Sequence, residues 1–292
     1  MTDPRQSDPA SPTAIGRLEP GLYLVATPIG NLGDMTSRGR DVLALADLVL
    51  CEDTRVTGKL LQALGLRRPL QPYHEHNAER MRPKVLEALA AGRRVALVSD
   101  AGTPLLSDPG FKLVRAARDA GLRVIPVPGP AAALAALTAS GLPTDRFFFQ
   151  GFLPAKAGAR TRAIAELARI PATLVVYESA HRVDATLDAL AAGLGDREAV
   201  LARELTKRFE EFRTGRLGEL AEGCRADPPR GEIVLVVRGG DDAAGVSDAE
   251  LDTALHEALA AASPSEAARR VAALTGRSRR EVYARAVTLK GS

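Results

Sequence analysis

Cysteine is nearly absent from this 292-residue chain. Cys51 and Cys224 stand far apart, which argues against a disulfide framework and against a thiolate zinc site. No apolar run approaches the roughly 20 residues that a helix needs to cross a bilayer. The polar, Pro/Ser-rich start, Met1 to Thr13, lacks the apolar centre of a signal peptide and reads as part of a disordered tail over 1–18. These absences point to a cytoplasmic protein. No Gly-x-Gly-x-x-Gly follows the first apolar run and no P-loop occurs, so a nicotinamide dehydrogenase and an NTPase both lose support. Net charge is only +3, but it is unevenly spread: Arg269, Arg270, Arg277, Arg279, Arg280, Arg285 and Lys290 crowd the C-terminal end. Such a run fits a phosphate backbone as partner, and it equally fits a solvated basic helix.

What is present is an alternation of apolar runs and helical stretches. Hydrophobic residues make up 46% of the chain, enough for a sizeable core. Runs at Leu22–Ala26, Leu48–Cys51, Leu70–Tyr73, Val95–Val98 and Arg123–Val127 are separated by stretches with helical signals, which calls for a mainly parallel sheet covered on both faces. The expected helices include Val56–Leu64, Pro83–Ala91 and Pro109–Ala120, the last with Asp108 as its cap and Pro109 in its first turn. After Pro128-Gly-Pro130 an alanine-rich helix opens a second series, with strands from Phe147, at Thr173–Tyr177, Ala199–Ala202, Phe209–Arg213 and Glu232–Val237, and a turn at Gly215. The expected division is an N-terminal α/β domain over 19–130, a second α/β domain over 131–240, and a basic helical module over 246–292. Within that module Ser247, Ser263 and Ser278 each precede a Glu by three residues, the capping-box pattern. Gly276 separates the last two helices, as in a helix-turn-helix.

The chemistry concentrates where apolar runs stop. Val95–Val98 ends in Ser99-Asp-Ala-Gly-Thr-Pro104, an acidic loop with no Lys or Arg. At the carboxyl end of a parallel strand, such a loop suits a ligand with hydroxyls or an amino group rather than a triphosphate. Leu48–Cys51 ends in Glu52-Asp53-Thr54-Arg55, a carboxylate pair beside a guanidinium. That group either does acid/base work or merely ties down its own loop. His74 and His76 lack a third ligand nearby and read as an ordinary loop, so no metal is expected. Phe147–Phe149 reads as core, and Lys156, Arg160 and Arg162 form a basic patch.

Taken together, Thr27-Pro-Ile-Gly-Asn31, Glu52-Asp-Thr-Arg55, Ser99–Pro104, Pro128-Gly-Pro130 and Tyr177-Glu-Ser-Ala-His-Arg182 closely resemble the ribosomal RNA small subunit methyltransferase I family. That family is an RNA-modifying branch of the tetrapyrrole methylase superfamily, and the resemblance covers about residues 20–240. It implies a two-domain α/β fold with a mainly parallel first sheet, a mixed second sheet and a small helical module. It also implies a homodimer that uses S-adenosylmethionine to methylate the ribose 2′-hydroxyl of a cytidine in small-subunit (16S) ribosomal RNA, free or within the 30S subunit. Residues carried over toward the cofactor are Pro28, Ser99, Asp100, Gly102, Thr103, Ala131, Ala132, Glu178 and Leu205. Glu52, Asp53, Arg55 and Glu178 are the catalytic candidates. Arg55, Lys156, Arg160, Arg182, Arg279 and Arg280 are the RNA-facing ones. Two other readings stay open at this point: a methyltransferase of the same fold for a porphyrinoid small molecule, and a non-catalytic RNA-binding assembly protein.

Overall fold

The computed structural model describes residues 18–240, 248–275 and 277–291. Residues 1–17, 241–247, 276 and 292 lie outside them, and with them most of the expected tail, the Ser247 cap and the Gly276 turn. Leu18, at the end of the expected tail, is buried beside Tyr23 and Val25.

The first sheet contains β1 (Gly21–Val25), β2 (Leu48–Cys51), β3 (Leu70–Pro72), β4 (Arg94–Leu97) and β5 (Val124–Val127), in the order β3-β2-β4-β1-β5. Every pairing is parallel. Side chains alternate as strand geometry requires. Tyr23, Val25, Val49, Cys51 and Ala96 join Val42 and Leu43 of α1 (Ser37–Leu45) and Leu61 of α2 (Thr54–Ala63). Leu22, Leu50, Val95 and Leu97 instead meet α3 (Glu75–Ala90) and α4 (Phe111–Asp119) through Val85, Leu89, Leu113 and Ala117. With helices on both faces, the loops after β1 and β4 lie side by side at the carboxyl edge where strand order switches. That is the ligand position of open α/β sheets.

The second sheet contains β6 (Phe147–Phe152), β7 (Thr173–Ser179), β8 (Glu198–Arg203), β9 (Glu211–Arg216) and β10 (Glu232–Val237), ordered β6-β7-β10-β8-β9. Only β6 and β7 run parallel, so this sheet is mixed. One face packs on α5 (Ala132–Ala139) through Ala133, Ala136 and Leu137. The other is covered by α6 (Ala157–Leu167), α7 (Val183–Leu194) and α8 (Leu217–Ala226). Three further helices, α9 (Asp248–Leu259), α10 (Pro264–Thr275) and α11 (Arg279–Gly291), share a small core of Leu251, Leu255, Val271, Val282 and Ala286. The backbone N–H groups of Glu266 and Glu281 donate to the hydroxyls of Ser263 and Ser278, at 3.4 and 3.2 Å. Arg277 pairs with Asp248 and Arg285 with Asp252, so part of the basic run holds this module together.

Several local expectations are corrected. Helix α3 begins eight residues before Pro83, which sits inside it; the tertiary packing of Met81, Val85 and Leu89 outweighs the lost backbone bond. Helix α4 begins at Phe111 rather than Pro109, because Gly110 takes φ 138° and ends the loop there. Gly215 lies within β9, paired with Ala199, and does not turn the chain. Helix α8, unannounced by any strong start signal, follows directly. Phe147 and Phe148 are 44% and 39% exposed on an edge strand, and of the three only Phe149 packs inward, edge-on to Tyr177.

Candidate active site

The loop after β4 is built from its own polar side chains. The Ser99 hydroxyl, 4% exposed, lies 3.1 Å from the Gly102 carbonyl. Thr27, fully buried in the loop after β1, exchanges backbone bonds with Gly102 at 2.9 and 3.0 Å, and its hydroxyl donates to the Ser99 carbonyl at 3.2 Å. Gly102 holds φ +82°, a left-handed conformation that favours glycine. Thr103 donates its hydroxyl to the Pro130 carbonyl at 3.0 Å and so ties this loop to the start of α5. Asp100 accepts the Asp53 N–H at 3.1 Å, which joins the loops after β2 and β4.

These ties leave a cleft of about 350 Å³ between the two sheets. The first lobe contributes Ile29, Asp100, Gly102, Thr103 and Asp108; the second contributes Ala131, Ala132, Tyr177, Leu205 and Val234. Among the described residues its lining carries carboxylates and no Lys or Arg. An apolar wall with a few convergent acceptors fits a flat heterocycle joined to a cationic group, at the size usual for small-molecule sites. The Tyr177 hydroxyl accepts the Ala133 N–H at 3.2 Å. Burial raises its pKa, so the phenol stays protonated and keeps its own O–H as a donor.

The structure brings Asp100, Gly102, Thr103, Ala131, Ala132 and Leu205 to this one cleft, and Glu178 adjoins it with its carboxylate turned away. It does not bring Pro28 or Ser99 there. Ile29 reaches the wall in place of Pro28, and Ser99 is turned into its own loop. Glu178 is corrected as a base candidate. Strand alternation points it toward α7, where its fully buried carboxylate accepts Thr186 Oγ1 at 2.6 Å and the Ser179 N–H at 2.8 Å. Arg182 lies 3.3 Å from the same carboxylate and donates to the Leu153 carbonyl at 3.0 Å, so it clamps α7 to the end of β6. An Arg182→Met variant should therefore lose about 3 kcal/mol of stability, as expected when one partner of a buried ion pair is removed. Urea unfolding checks this, and an unchanged midpoint would contradict the clamp.

Asp53 is corrected too. It caps α2 and forms a forked pair with Arg55, Nη2 to Oδ2 at 2.6 Å. The guanidinium holds the Asp53 carboxyl down at about 2, which makes it a poor proton acceptor near neutrality. Arg55 itself is 86% exposed. Glu52 lines a neighbouring groove with His74, Glu75 and His76. Lys156, Arg279 and Arg280 are exposed, whereas Arg160 is half-buried against the Ala155 carbonyl.

Asp108 was not among the candidate residues. It lines both the cleft and the neighbouring groove. Burial, with the Glu52 and Asp100 charges adding to it, raises its carboxyl to about 6, while a Ser99 hydrogen bond pulls the other way. The Asp-Pro-Gly run that looked like a helix cap was also a turn signal, and that reading would have freed Asp108 for other work. Among the described residues no group of three or more His, Cys, Asp or Glu is arranged to hold a metal, and no helix is long and apolar enough to span a membrane.

Fold and cleft together define a methyltransferase of the tetrapyrrole (corrin/porphyrin) methylase class, whose family pattern matches residues 21–221. A second pattern, described as the RsmI C-terminal HTH domain, matches residues 245–290. The chain belongs to the ribosomal RNA small subunit methyltransferase I family. It is 52% identical over 275 residues to the protein of that name from Mesorhizobium japonicum, covering 94% of this chain and 93% of that one. The Synechocystis protein of the same name is 45% identical over 266 residues, 90% of this chain and 95% of its own. Among solved structures, the uroporphyrin-III C-methyltransferase of Thermus thermophilus, in complex with S-adenyl homocysteine, superposes with a TM-score of 0.52. It is 25% identical and covers 74% of this chain and 96% of its own. A diphthine synthase, 17% identical with a TM-score of 0.59 over 74% of this chain and 89% of its own, shares the fold.

Proposed function

We propose that this protein transfers a methyl group from S-adenosylmethionine to the 2′-hydroxyl of a cytidine in small-subunit ribosomal RNA. The observation that carries the reading is the acidic, Lys/Arg-free cleft between two sheets, in a chain so similar to ribosomal RNA small subunit methyltransferases I. S-adenosylmethionine, when bound, supplies a methyl group that is already electrophilic. Asp100 and the backbone around Thr103 would hold its methionine end, where an ammonium meets carboxylate and carbonyl oxygens. The apolar wall of Ile29, Ala132, Leu205 and Val234 would hold the adenosine and exclude water.

Alignment of the acceptor oxygen supplies much of the rate. A ribose hydroxyl is a weak nucleophile, and Asp108 is the base we assign to it, in place of Glu52, Asp53 and Glu178. A carboxyl raised to about 6 is ionised at neutral pH, yet it is basic enough to take the hydroxyl proton as the oxygen–carbon bond forms. The cleft lined from both sheets supports a division into lobes near residues 130–131. The exposed phenylalanines of β6 support a homodimer, and the RNA substrate supports a cytoplasmic location, with the rRNA met free or within the 30S subunit.

Incubating the purified protein with labelled S-adenosylmethionine and small-subunit rRNA or 30S subunits, followed by mapping of 2′-O-methyl groups, tests the reading. A single modified cytidine is expected, and the absence of any rRNA methylation would refute it. For the C-terminal module, reversing Arg279 and Arg280 to Glu should weaken RNA binding and flatten its salt dependence by about 0.7 logarithmic units per charge lost. Filter binding across a salt series measures this; an unchanged slope would remove those two side chains from the RNA surface.

A further inference from the structure

A methyl acceptor must reach the donor through a space that adjoins the cofactor cleft. The groove formed by Glu52, His74, Glu75 and His76 does so: it shares Ser107 and Asp108 with the cleft, which makes that pair a common wall. Ser107 takes φ 67° and Leu105 φ 74°, left-handed conformations that cost non-glycine residues energy. Ser107 lies in the wall that the two spaces share, and Leu105 stands two residues before it.

The chemistry of the groove is specific. Among the described residues it contains carboxylates and imidazoles but no Lys or Arg, so a phosphate would be repelled and a neutral ring favoured. Glu75 and His76 are exposed in the first turn of α3, and neither forms a hydrogen bond with another described side chain. Cytosine presents an amino donor at N4 beside acceptors at N3 and O2, whereas uracil presents an oxygen acceptor at O4. A carboxylate accepts from N4 of cytosine and opposes O4 of uracil, and an imidazole N–H donates to N3 or O2. The same arrangement would leave the ribose beside Asp108.

We propose that the groove of Glu52, His74, Glu75 and His76 receives the base of the acceptor nucleotide, with Glu75 and His76 selecting cytosine over uracil. This rests on the function proposed above. Small subunits carrying either the natural cytidine or a uridine at the position that the wild type methylates are the substrates for the test. The wild type should prefer cytidine. Glu75→Gln and His76→Ala, singly and together, should cut that preference about tenfold or more, the usual range for loss of a paired base contact, mainly through KM. S-adenosylmethionine affinity and melting temperature, measured on the same samples, should stay at wild-type values and so separate base selection from misfolding; each single variant stands if the double does not fold. An unchanged cytidine-to-uridine ratio in a folded variant would overturn the groove assignment while leaving the methyltransferase reading intact. A wild type that methylates no cytidine would overturn both.

Discussion

Asp108→Asn should reduce kcat by about 10²–10⁴-fold, the usual contribution of a positioned general base, and leave S-adenosylmethionine affinity nearly unchanged. The pH profile carries the sharper signature. In the wild type the carboxyl titrates at about 6, so the base is protonated below that value and the rate should climb as pH rises through it. Asparagine cannot titrate, and the variant's residual rate should lose that step. Stability should move the opposite way. A carboxyl whose folded pKa lies above its ordinary 3.8 gives the fold an advantage present below about 3.8, lost as pH rises from there through about 6. At pH 7 to 8 the wild type therefore carries a partly buried charge that asparagine lacks, and Asp108→Asn should melt no lower than the wild type. A slow variant that also melts well below the wild type would mean that Asp108 supports the loop rather than the reaction.

Gly102→Val should weaken S-adenosylmethionine binding at least tenfold. Gly102 sits at φ +82° and exchanges two backbone bonds with Thr27. A β-branched residue there costs about 1–3 kcal/mol in backbone strain alone. Its Cβ would also stand 3.2 Å from Ile29 Cγ2, so Ile29, which lines the cleft, must shift and the cleft wall with it. Calorimetric titration measures the affinity, and wild-type binding by a folded Gly102→Val protein would contradict the closeness of this wall. Gly102→Ala, smaller but still strained, should fall between the two.

The strand periodicities were legible because each buried strand ends at a polar loop and each lobe repeats the pattern. Parallel pairing in the first sheet and the mixed second sheet match the architecture implied by the loop set. The acidic loop after β4 was legible for the same reason, since its lack of Lys and Arg excludes phosphates by charge alone. Which carboxylates are free was not legible. Asp53 and Glu178 look as available in sequence as Asp108, yet Arg55 occupies the first and Thr186, eight residues along the chain, the second. Pro83 and Gly215 misled because local propensity is weaker than the packing of α3 and the ladder of β9.

The sequence by itself determined an α/β alternation with polar loops at the strand ends, because period, turn chemistry and capping are local properties of the chain. That those loops meet at one cleft was implied by the resemblance of the loop set. Only the tertiary structure decided which acid faces the cleft and which merely holds a helix. A carboxylate's role depends on burial and on neighbours far apart in sequence. The acidic loop after β4 is ordinary as text; folded, it places Asp108 on the wall between two spaces, where burial raises its carboxyl to about 6.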